Sequence, residues 1–491
     1  MAIIRRQGIK NVIYGYIGIL LGVLSTLYIQ PFFLTEEQIG ITRLVLSVST
    51  ILALISNMGT TTTIVKFLPH FYDPEKKHKG FFTMVILFPL IGFSICFSIL
   101  MLFKKNLLGL YGENAHVLDE FFWPIILITF LNCIVFSFNA YCSAINKTSI
   151  LTLINDVLNR IGFIACVLLF SYGFFTQDSY IYSLSLIYFV QLVLLFMIIK
   201  HFDAPVIRFS FFSNNHLLKE ILKYCFYSSF IQVTGICTKF IDVVFIGKYQ
   251  SMQQVGIYSI AAFIGLILDT PLNAVEKIAG VKVSRLFAAN NLPEIEKIYK
   301  LSSKYLMMFC GLMGSVLVIC IEPMLSLLPG NYSSGTWVTV IICLGAFFNA
   351  VTGINYSILT YSNLYRFSAL FYFLLLVLIV ILNIFFIPLY GITGAAMATM
   401  IASVVHNIFR SVLIRIKLNM QPFTIDSFKI LLIISVSILS AYWITIENKY
   451  LLILLRGTVC TGVFLLLLTV FKVFSIREIK QEISGFKNTF S

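Results

Sequence analysis

Apolar runs separated by short polar segments tile almost the whole chain. A helix needs roughly 20 apolar residues to cross a bilayer, where no water can satisfy exposed backbone polar groups. The pattern therefore predicts an all-α membrane protein with about fourteen transmembrane helices. The predicted spans lie near residues 11–33, 39–64, 80–103, 117–142, 148–170, 179–199, 222–247, 254–276, 301–323, 336–360, 367–388, 391–412, 428–446 and 451–471.

Composition agrees with a membrane interior. Of 491 residues, 59% are hydrophobic and 11% charged, whereas soluble domains carry about 45–50% apolar and about 25% charged residues. The ten cysteines lie singly in apolar segments, without a CxxC pair or a Cys/His metal spacing, so we interpret them as small apolar residues. Arg5, Arg6 and Lys10 precede the first apolar run without a cleavage site, which predicts a retained span.

The distribution of Lys and Arg orients the spans, because these residues stay on the cytoplasmic side. With the N-terminus inside, 27 of the 35 basic residues fall in cytoplasmic segments or at the cytoplasmic ends of spans, four fall outside and four lie deeper within spans. We therefore expect a multi-pass protein of the bacterial inner (cytoplasmic) membrane with both termini in the cytoplasm. The net charge of +14 then reflects topology and contact with anionic membrane lipids, and no nucleic-acid partner is expected.

A short sequence motif occurs twice. EEQIGITRLVLSVS begins at Glu36, MQQVGIYSIAAFIG begins at Met252, and the offset is 216 residues. Each copy starts outside, crosses inward and ends in a basic loop. Two similar halves in the same orientation are typical of transporters whose substrate site lies between repeats.

Four segments resemble a known family: QIGI, SNMGTTTTIVKFLPHFYDPEKK, KFIDVVFIGKYQSMQQVGIYSIAAFI and NIFFIPLYGITGAAMATMIAS, which begin at Gln38, Ser56, Lys239 and Asn383. They are similar to the polysaccharide transport family, the Wzx-type lipid-linked oligosaccharide flippases of the multidrug/oligosaccharidyl-lipid/polysaccharide superfamily. The resemblance covers roughly residues 8–475.

The resemblance implies two pseudo-symmetric six-helix lobes plus two C-terminal helices. The expected boundaries are 1–205 for the N-terminal lobe, 216–420 for the C-terminal lobe, 425–475 for spans 13 and 14, and 476–491 for a cytoplasmic tail. The implied activity is alternating-access transfer of undecaprenyl-diphosphate-linked oligosaccharide repeat units, as in O-antigen synthesis for the cell envelope. No cofactor is expected beyond H⁺ or Na⁺ coupling, and other polysaccharide assembly proteins are candidate partners.

Such flippases are expected to have a cationic cavity, which we carry over only to basic residues inside or ending a span. The candidate substrate-binding residues are Arg43, Lys66, Arg160 and Lys239. Each also has a structural interpretation: Arg43 could reach the interface, Lys66 could be a topology signal, and Arg160 and Lys239 could pair with Asp156 and Asp242.

Other polar residues share helix faces with these cations, and buried polar groups normally face protein or water. Candidate cavity-lining residues are Asn57, Asn155, Asn159, Gln232 and Asn273; candidate ion-coupling residues are Asp156, Asp242 and Asp269. Asp269 could equally serve as a partner for Lys239 or Arg160. His406 and Asn407 are interpreted as contacts within the bundle.

Three functional classes remain open. They are the oligosaccharide flippase with its near neighbour, a peptidoglycan-precursor flippase; an ion-coupled multidrug or small-molecule antiporter of the same superfamily; and a membrane glycosyltransferase or polymerase. The enzyme is disfavoured because the longest predicted outside loop, residues 104–116, is short. No phosphate-binding glycine loop, zinc spacing or nucleophile elbow occurs.

Overall fold

A computed structural model describes residues 2–71, 80–203, 206–209 and 215–473, and within these ranges all regular structure is helical. The predicted all-α class is confirmed. The predicted cytoplasmic tail, 476–491, lies outside the described residues.

The first half contains α1 (Ala2–Val23), a first π-helix (Leu24–Ile29), α2 (Gln30–Phe33), α3 (Glu36–Ser56), α4 (Thr60–Phe71), α5 (Phe82–Gly109), α6 (Ala115–Glu120), α7 (Phe122–Ala144), α8 (Thr148–Thr152), a second π-helix (Leu153–Leu158), α9 (Asn159–Ser171) and α10 (Gln177–Phe202).

The second half contains ten further α-helices: α11 (Asn215–Cys237), α12 (Ile241–Tyr249), α13 (Met252–Leu266), α14 (Asp269–Ala288), α15 (Leu292–Leu325), α16 (Thr336–Val351), α17 (Asn355–Tyr361), α18 (Tyr365–Leu418), α19 (Ile425–Tyr442) and α20 (Lys449–Val470). Short 3₁₀ turns at Gly112–Asn114 and Tyr332–Gly335 precede α6 and α16.

Eleven helices in the described ranges are long and apolar enough to cross a membrane, or thirteen if each of two bent pairs forms one span. The predicted count of fourteen stays a prediction. The 54 residues of α18 would extend about 81 Å at 1.5 Å per residue, far beyond a core of about 30 Å. Its backbone leaves helical geometry at Gly391, where φ is 58° and ψ is −138°, next to the predicted turn between spans 11 and 12.

Several predicted spans are broken within their length. Span 2 divides into α3 and α4 at Met58 and Gly59, whose φ angles of 50° and 73° lie in the left-handed region. A side chain at Gly59 would also meet Ser228 Oγ at 2.5 Å, so both conformation and space require glycine there. Spans 7 and 8 bend by 58° between α11 and α12 and by 47° between α13 and α14.

The chain divides into two compact units. Unit 1 comprises Met1–Ile260 and Asn383–Ile392, and unit 2 comprises Ala261–Leu382 and Thr393–Ser491. In unit 1, α7 is the most enclosed candidate span, with 72% of its apolar window buried. The apolar core of unit 1 is built around α4, α5, α7 and α10. In unit 2, α15 packs against α16, α19 and α20, while α14 packs against α15 and α17.

The two copies of the repeated motif contact each other inside unit 1. A Cβ at Gly40 would overlap the Met252 carbonyl and lie 3.0 Å from Gly256 N; a Cβ at Gly256 would overlap the Glu36 carbonyl and lie 3.2 Å from Gly40 N. The offset of 216 residues relates both glycines and both carbonyls. The N-terminal turns of α3 and α13 therefore cross by a reciprocal, backbone-to-backbone contact, which we call the glycine crossing.

Asn57 joins the break in span 2 to α7. Its side chain is fully buried, donates to the Cys133 carbonyl at 3.1 Å and Ser137 Oγ at 2.8 Å, and accepts from Thr61 N at 3.1 Å and Thr61 Oγ1 at 2.8 Å. These contacts satisfy the amide within the protein. They suit a structural role at this position.

We expect Asn57→Ala to lower stability by about 1–3 kcal/mol, because the partners of the amide would remain buried without hydrogen bonds. Thermal unfolding of the purified protein measures the effect. Asn273→Ala is the matched control: the Asn273 side chain is exposed, so its change should stay within about 0.5 kcal/mol. Equal unfolding midpoints for the two variants would contradict this role for Asn57.

Candidate functional site

Two guanidinium groups lie near each other in unit 1. Arg43, on α3, donates from Nη2 to Gln30 Oε1 at 3.1 Å, while its buried Nε makes no hydrogen bond within the described residues. Arg160, on α9, is close enough for its positive charge to repel that of Arg43. Two like charges inside a membrane protein cost free energy unless an opposite charge offsets them. This arrangement therefore favours the binding of an anion next to the two arginines.

The position of Arg160 depends on a small residue in α1. Its guanidinium occupies the space that a Cβ at Gly22 would need. One turn earlier, Gly18 packs against Asp156, whose Cβ would lie 2.7 Å from an added Cβ. The face of α1 with Gly18 and Gly22 therefore fits against the second π-helix and the start of α9, consistent with the close packing that small residues allow.

Asp156 attracts Arg160 electrostatically, in the direction of the structural interpretation in which these two residues pair. The two side chains are nevertheless not among the ion pairs of the described residues, whose nitrogen–oxygen distances are at most 4.0 Å. In the described part of the chain, ion pairs within this limit join Lys104 to Asp119, Lys282 to Glu294, Lys300 to Glu296, and Lys304 and Lys429 to Asp426. Neither Arg43 nor Arg160 takes part in any of them.

A network of side-chain amides extends from the second π-helix. Asn155 donates to Asn139 Oδ1 at 3.2 Å and accepts from Gln191 Nε2 at 2.7 Å, and Asn159 donates to Gln191 Oε1 at 2.8 Å. The predicted polar residues Asn155 and Asn159 thus share one partner on α10. Because π-helical turns often occur at functional sites, the network and the two arginines form the candidate site of unit 1.

The two candidate lysines lie elsewhere in unit 1. Lys66 is exposed on α4, with Nζ 3.8 Å from the ring centre of Tyr224. Lys239 is exposed in the break between α11 and α12. Gln232, two turns before Lys239, is half-buried, and its Oε1 accepts no hydrogen bond from described residues. None of these side chains contacts the two arginines through a hydrogen bond in the described structure.

Asp242 is held by partners other than Lys239. Its Oδ2 accepts from the Tyr258 hydroxyl at 2.7 Å and its Oδ1 from Asn383 Nδ2 at 2.9 Å. The carboxylate is buried in unit 1, where α12, α13 and the Asn383 segment of α18 supply these groups. The predicted ion pair between Lys239 and Asp242 is not among the ion pairs of the described residues.

The remaining candidates belong to unit 2. Asp269 begins α14 directly after the bend that follows α13 and is half-buried near Cys310 and Cys343. Asn273, one turn later, is exposed. The structure therefore distributes the predicted residues among several places, and Arg43, Arg160, Asp156, Asn155 and Asn159 form the largest group.

Unit 2 also contains a charged cluster that the sequence did not predict. Arg410 is only 6% exposed, although the distribution of basic residues predicts a cytoplasmic position for it at the end of span 12. Its guanidinium lies 4.9 Å from the ring centre of Tyr372 and 5.4 Å from that of Tyr356. Helix α18 continues to Leu418, so Arg410 lies two turns inside the helix. The spacing of His406 and Arg410 by four residues was the available signal.

Comparison with known proteins places this architecture in a family. The family model described as "Polysaccharide biosynthesis protein" matches residues 6–275, more than half of the chain. No curated protein matches the sequence.

Solved structures share the fold. The lipid II flippase MurJ, in an inward-closed conformation, aligns with a TM-score of 0.76 at 14% identity, covering 95% of this chain and 98% of MurJ. An inward-facing multidrug resistance MATE transporter of the MOP superfamily aligns at 0.58 and 14% identity, covering 82% and 98%. A MOP superfamily transporter from Pyrococcus furiosus aligns at 0.54 and 15% identity, covering 84% and 95%.

The apolar helices, the fold and the family model agree with one another and with the resemblance of the four sequence segments. The protein therefore belongs to the polysaccharide biosynthesis protein family, and it shares the fold of these solved membrane transporters.

Proposed function

We propose that this protein moves undecaprenyl-diphosphate-linked oligosaccharide repeat units from the cytoplasmic to the outer leaflet of the bacterial inner membrane. The observation that carries the proposal is the pair Arg43 and Arg160, two cations near each other without an ion pair among the described residues. A diphosphate supplies the opposite charge. Charge-assisted hydrogen bonds from guanidinium to phosphate are short and directional.

The neighbouring amides suit the sugars of the same substrate. The side chains of Asn155, Asn159 and Gln191 offer both hydrogen-bond donors and acceptors. The hydroxyl groups of a sugar can replace the hydrogen bonds that these side chains make to each other. The prenyl tail stays in the lipid in this proposal. Lys66 and Lys239, both exposed, serve as basic contacts along the route rather than at the arginine pair.

Alternating access requires a contact that opens and closes. We assign this role to the glycine crossing, because α3 and α13 approach each other there closely enough for backbone atoms to contact. Gln253 Nε2 donates to Glu36 Oε2 beside it. With the cytoplasmic termini that the basic residues indicate, the crossing lies at the outer end of both spans. Its closed form would keep the site accessible from the cytoplasm.

Two related functions have support of their own. The MurJ-like fold fits a peptidoglycan-precursor flippase, and the MATE-like fold fits an ion-coupled multidrug antiporter. For ion coupling, Asp242 with Asn383 and Tyr258 is the best-defined carboxylate of unit 1, followed by Asp156 and Asp269. The cationic pair favours an anionic substrate over the cationic drugs that an antiporter would export.

Lys239→Ala is expected to reduce glycan export several-fold without changing the amount of protein in the membrane. The exposed side chain makes no ion pair within the described structure, so its loss removes a charge from the route and little packing. Export per molecule, measured by surface glycan staining, tests this. Lys105→Ala, at an exposed position on the predicted outer side, is the control. Normal export by the Lys239 variant would remove Lys239 from the route.

The proposed function is tested by deleting the gene and analysing the lipids. We expect undecaprenyl-linked repeat units to accumulate on the cytoplasmic leaflet, while their synthesis continues. Accumulation of a peptidoglycan precursor instead would favour the second flippase reading. Unchanged lipid pools together with new drug sensitivity would favour the antiporter. Other assembly proteins that act on the glycan would show as co-purifying partners.

A further inference from the structure

Unit 2 contains a half-buried acid and a buried base that are not among the ion pairs of the described residues. Glu276, on α14, is half-buried and accepts a hydrogen bond from the hydroxyl of Ser357 on α17. Arg410 exerts an electrostatic attraction on Glu276, yet the two are not among the ion pairs within 4.0 Å in the described ranges. Each group instead has separate contacts, with Ser357 on one side and the tyrosines on the other.

Arg410 has fewer of its hydrogen-bonding atoms paired than Glu276 has. Its Nε and Nη2 atoms are buried and donate no hydrogen bond within the described residues. The rings of Tyr356 and Tyr372 supply cation–π attraction, which offsets only part of the lost hydration. A buried guanidinium in this state gains free energy if a carboxylate approaches it.

A further polar atom without a hydrogen bond lies beside Arg410. His406 Nε2 is buried and makes no hydrogen bond in the described structure. His406 Nδ1 lies 3.1 Å from the Phe371 carbonyl, which identifies Nδ1 as the protonated nitrogen and Nε2 as an acceptor in the neutral ring. Such a concentration of unsatisfied polar atoms is unusual in a protein interior and is typical of a place where protonation or geometry changes.

We propose that Glu276 is a proton-binding site and that Arg410 is the partner to which it moves when it is ionised. In the protonated state the carboxylic acid stays at Ser357, whose hydroxyl can accept as well as donate. On release of the proton to water the carboxylate acquires a negative charge and approaches Arg410. The only bond made or broken is the O–H bond of the acid, and the proton is exchanged with water.

The surroundings favour a proton over a metal ion. The titratable and charged groups that act on Glu276 are Arg410 of α18, Tyr299 of α15 and Tyr356 of α17, with His406 and Tyr372 next to Arg410. They offer hydrogen-bond donors and a positive charge, which repel a metal cation. No group of three His, Cys, Asp or Glu residues that could hold a metal occurs among the described residues.

This inference rests on the proposed function, because it identifies the ion that would drive transport. Closing of the Glu276–Arg410 pair would shift α14 relative to α18 within unit 2. Proton binding at Glu276 would then favour one of two arrangements of the unit, as a ligand does when it binds one state better. The site is distinct from the arginine pair of unit 1, so the two can be tested separately.

The test has a spectroscopic arm that needs no substrate. Infrared difference spectra of the purified full-length protein are recorded while the pH is changed across the range in which histidines ordinarily titrate. We expect a carboxylic-acid band that Glu276→Gln lacks, that persists to higher pH in Arg410→Gln, and that Glu322→Gln, changed at an exposed position of α15, retains. A band of unchanged intensity in Glu276→Gln would overturn the inference.

The second arm measures transport in proteoliposomes with and without an imposed pH gradient. We expect Glu276→Gln to retain gradient-independent exchange of lipid-linked oligosaccharide and to lose stimulation by the gradient. Stimulation equal to that of the unaltered protein would overturn the proton role while leaving the flippase intact. If the unaltered protein moves no lipid although the infrared band is present, the proposed function fails and the proton site stands.

Discussion

Arg160→Ala should lower export of the lipid-linked glycan by about 10- to 100-fold, because hydrogen bonds to a charged group contribute about 1.5–3 kcal/mol each. The variant should reach the membrane in normal amounts, since the Arg160 guanidinium makes no ion pair in the described structure that its loss would break. Arg160→Lys should give an intermediate result, as it keeps the charge and loses the planar two-pronged geometry. Surface glycan and protein abundance are measured together.

Arg456 provides a matched comparison. It also lies within a predicted span, yet its guanidinium donates to the backbone carbonyls of Ile444, Ile319 and Tyr442 at 3.1, 3.0 and 3.4 Å. Arg456→Ala should therefore reduce stability and abundance while export per molecule stays normal. If the two alanine variants behave alike, Arg160 has a structural role and its assignment to the substrate is wrong.

The fit of Arg160 against α1 allows a second test of the same site without touching a charge. Gly22→Ala places a methyl group where the guanidinium lies, so we expect it to displace Arg160 and reproduce most of the export defect. Gly15→Ala, two turns earlier on α1, adds a methyl group with no atom within 4 Å and should leave export unchanged. Equal export by both glycine variants would show that Arg160 tolerates displacement.

The second large effect is expected at the glycine crossing. Gly40→Ala and Gly256→Ala each place a Cβ onto a backbone carbonyl of the other helix, and backbone cannot yield as a flexible side chain can. We expect export to fall by about 10-fold or more, corresponding to a cost of about 1.4 kcal/mol or more in the closed crossing. Gly462→Ala, with no atom within 4 Å, should leave export unchanged.

A cross-link distinguishes loss of the crossing from general misfolding. In a cysteine-free background, cysteines at positions 36 and 253, whose native side chains share a hydrogen bond, should form a disulfide with high yield. The yield should drop in Gly40→Ala and Gly256→Ala, while the thermal unfolding midpoint of the purified protein changes little. A full yield in both variants, with normal export, would remove the crossing from the transport cycle.

Much of the fold follows from the sequence because the bilayer imposes a simple rule. Each predicted span contains or overlaps a helix of the described structure, since a run of apolar residues in lipid has no alternative to helix. The breaks at Met58 and Gly59, at Lys239 and after Leu266 were not predicted. Packing contributes to these breaks, such as that of Gly59 against Ser228, and a single sequence does not show which residues pack together.

The candidate site was predictable only in part. The polar face of span 5 indicated Asn155, Asn159 and Arg160 because helical spacing alone places them together. The proximity of Arg43 to Arg160 depends on how α3 packs near α9, which a single sequence does not encode locally. Arg410 was missed because it lies at the predicted cytoplasmic end of span 12, and span ends are uncertain by a few residues. Helix α18 continues for two more turns to Leu418, and the Arg410 side chain is buried.

The most direct measurement of the central claim is translocation by the purified protein. Liposomes carrying fluorescent undecaprenyl-diphosphate-linked oligosaccharide are reconstituted with the protein, and a membrane-impermeant quencher reports which leaflet holds the sugar. We predict rapid exchange between leaflets with the unaltered protein and with Gly15→Ala, and slow exchange with Arg160→Ala. Exchange no faster than in protein-free liposomes would contradict the account.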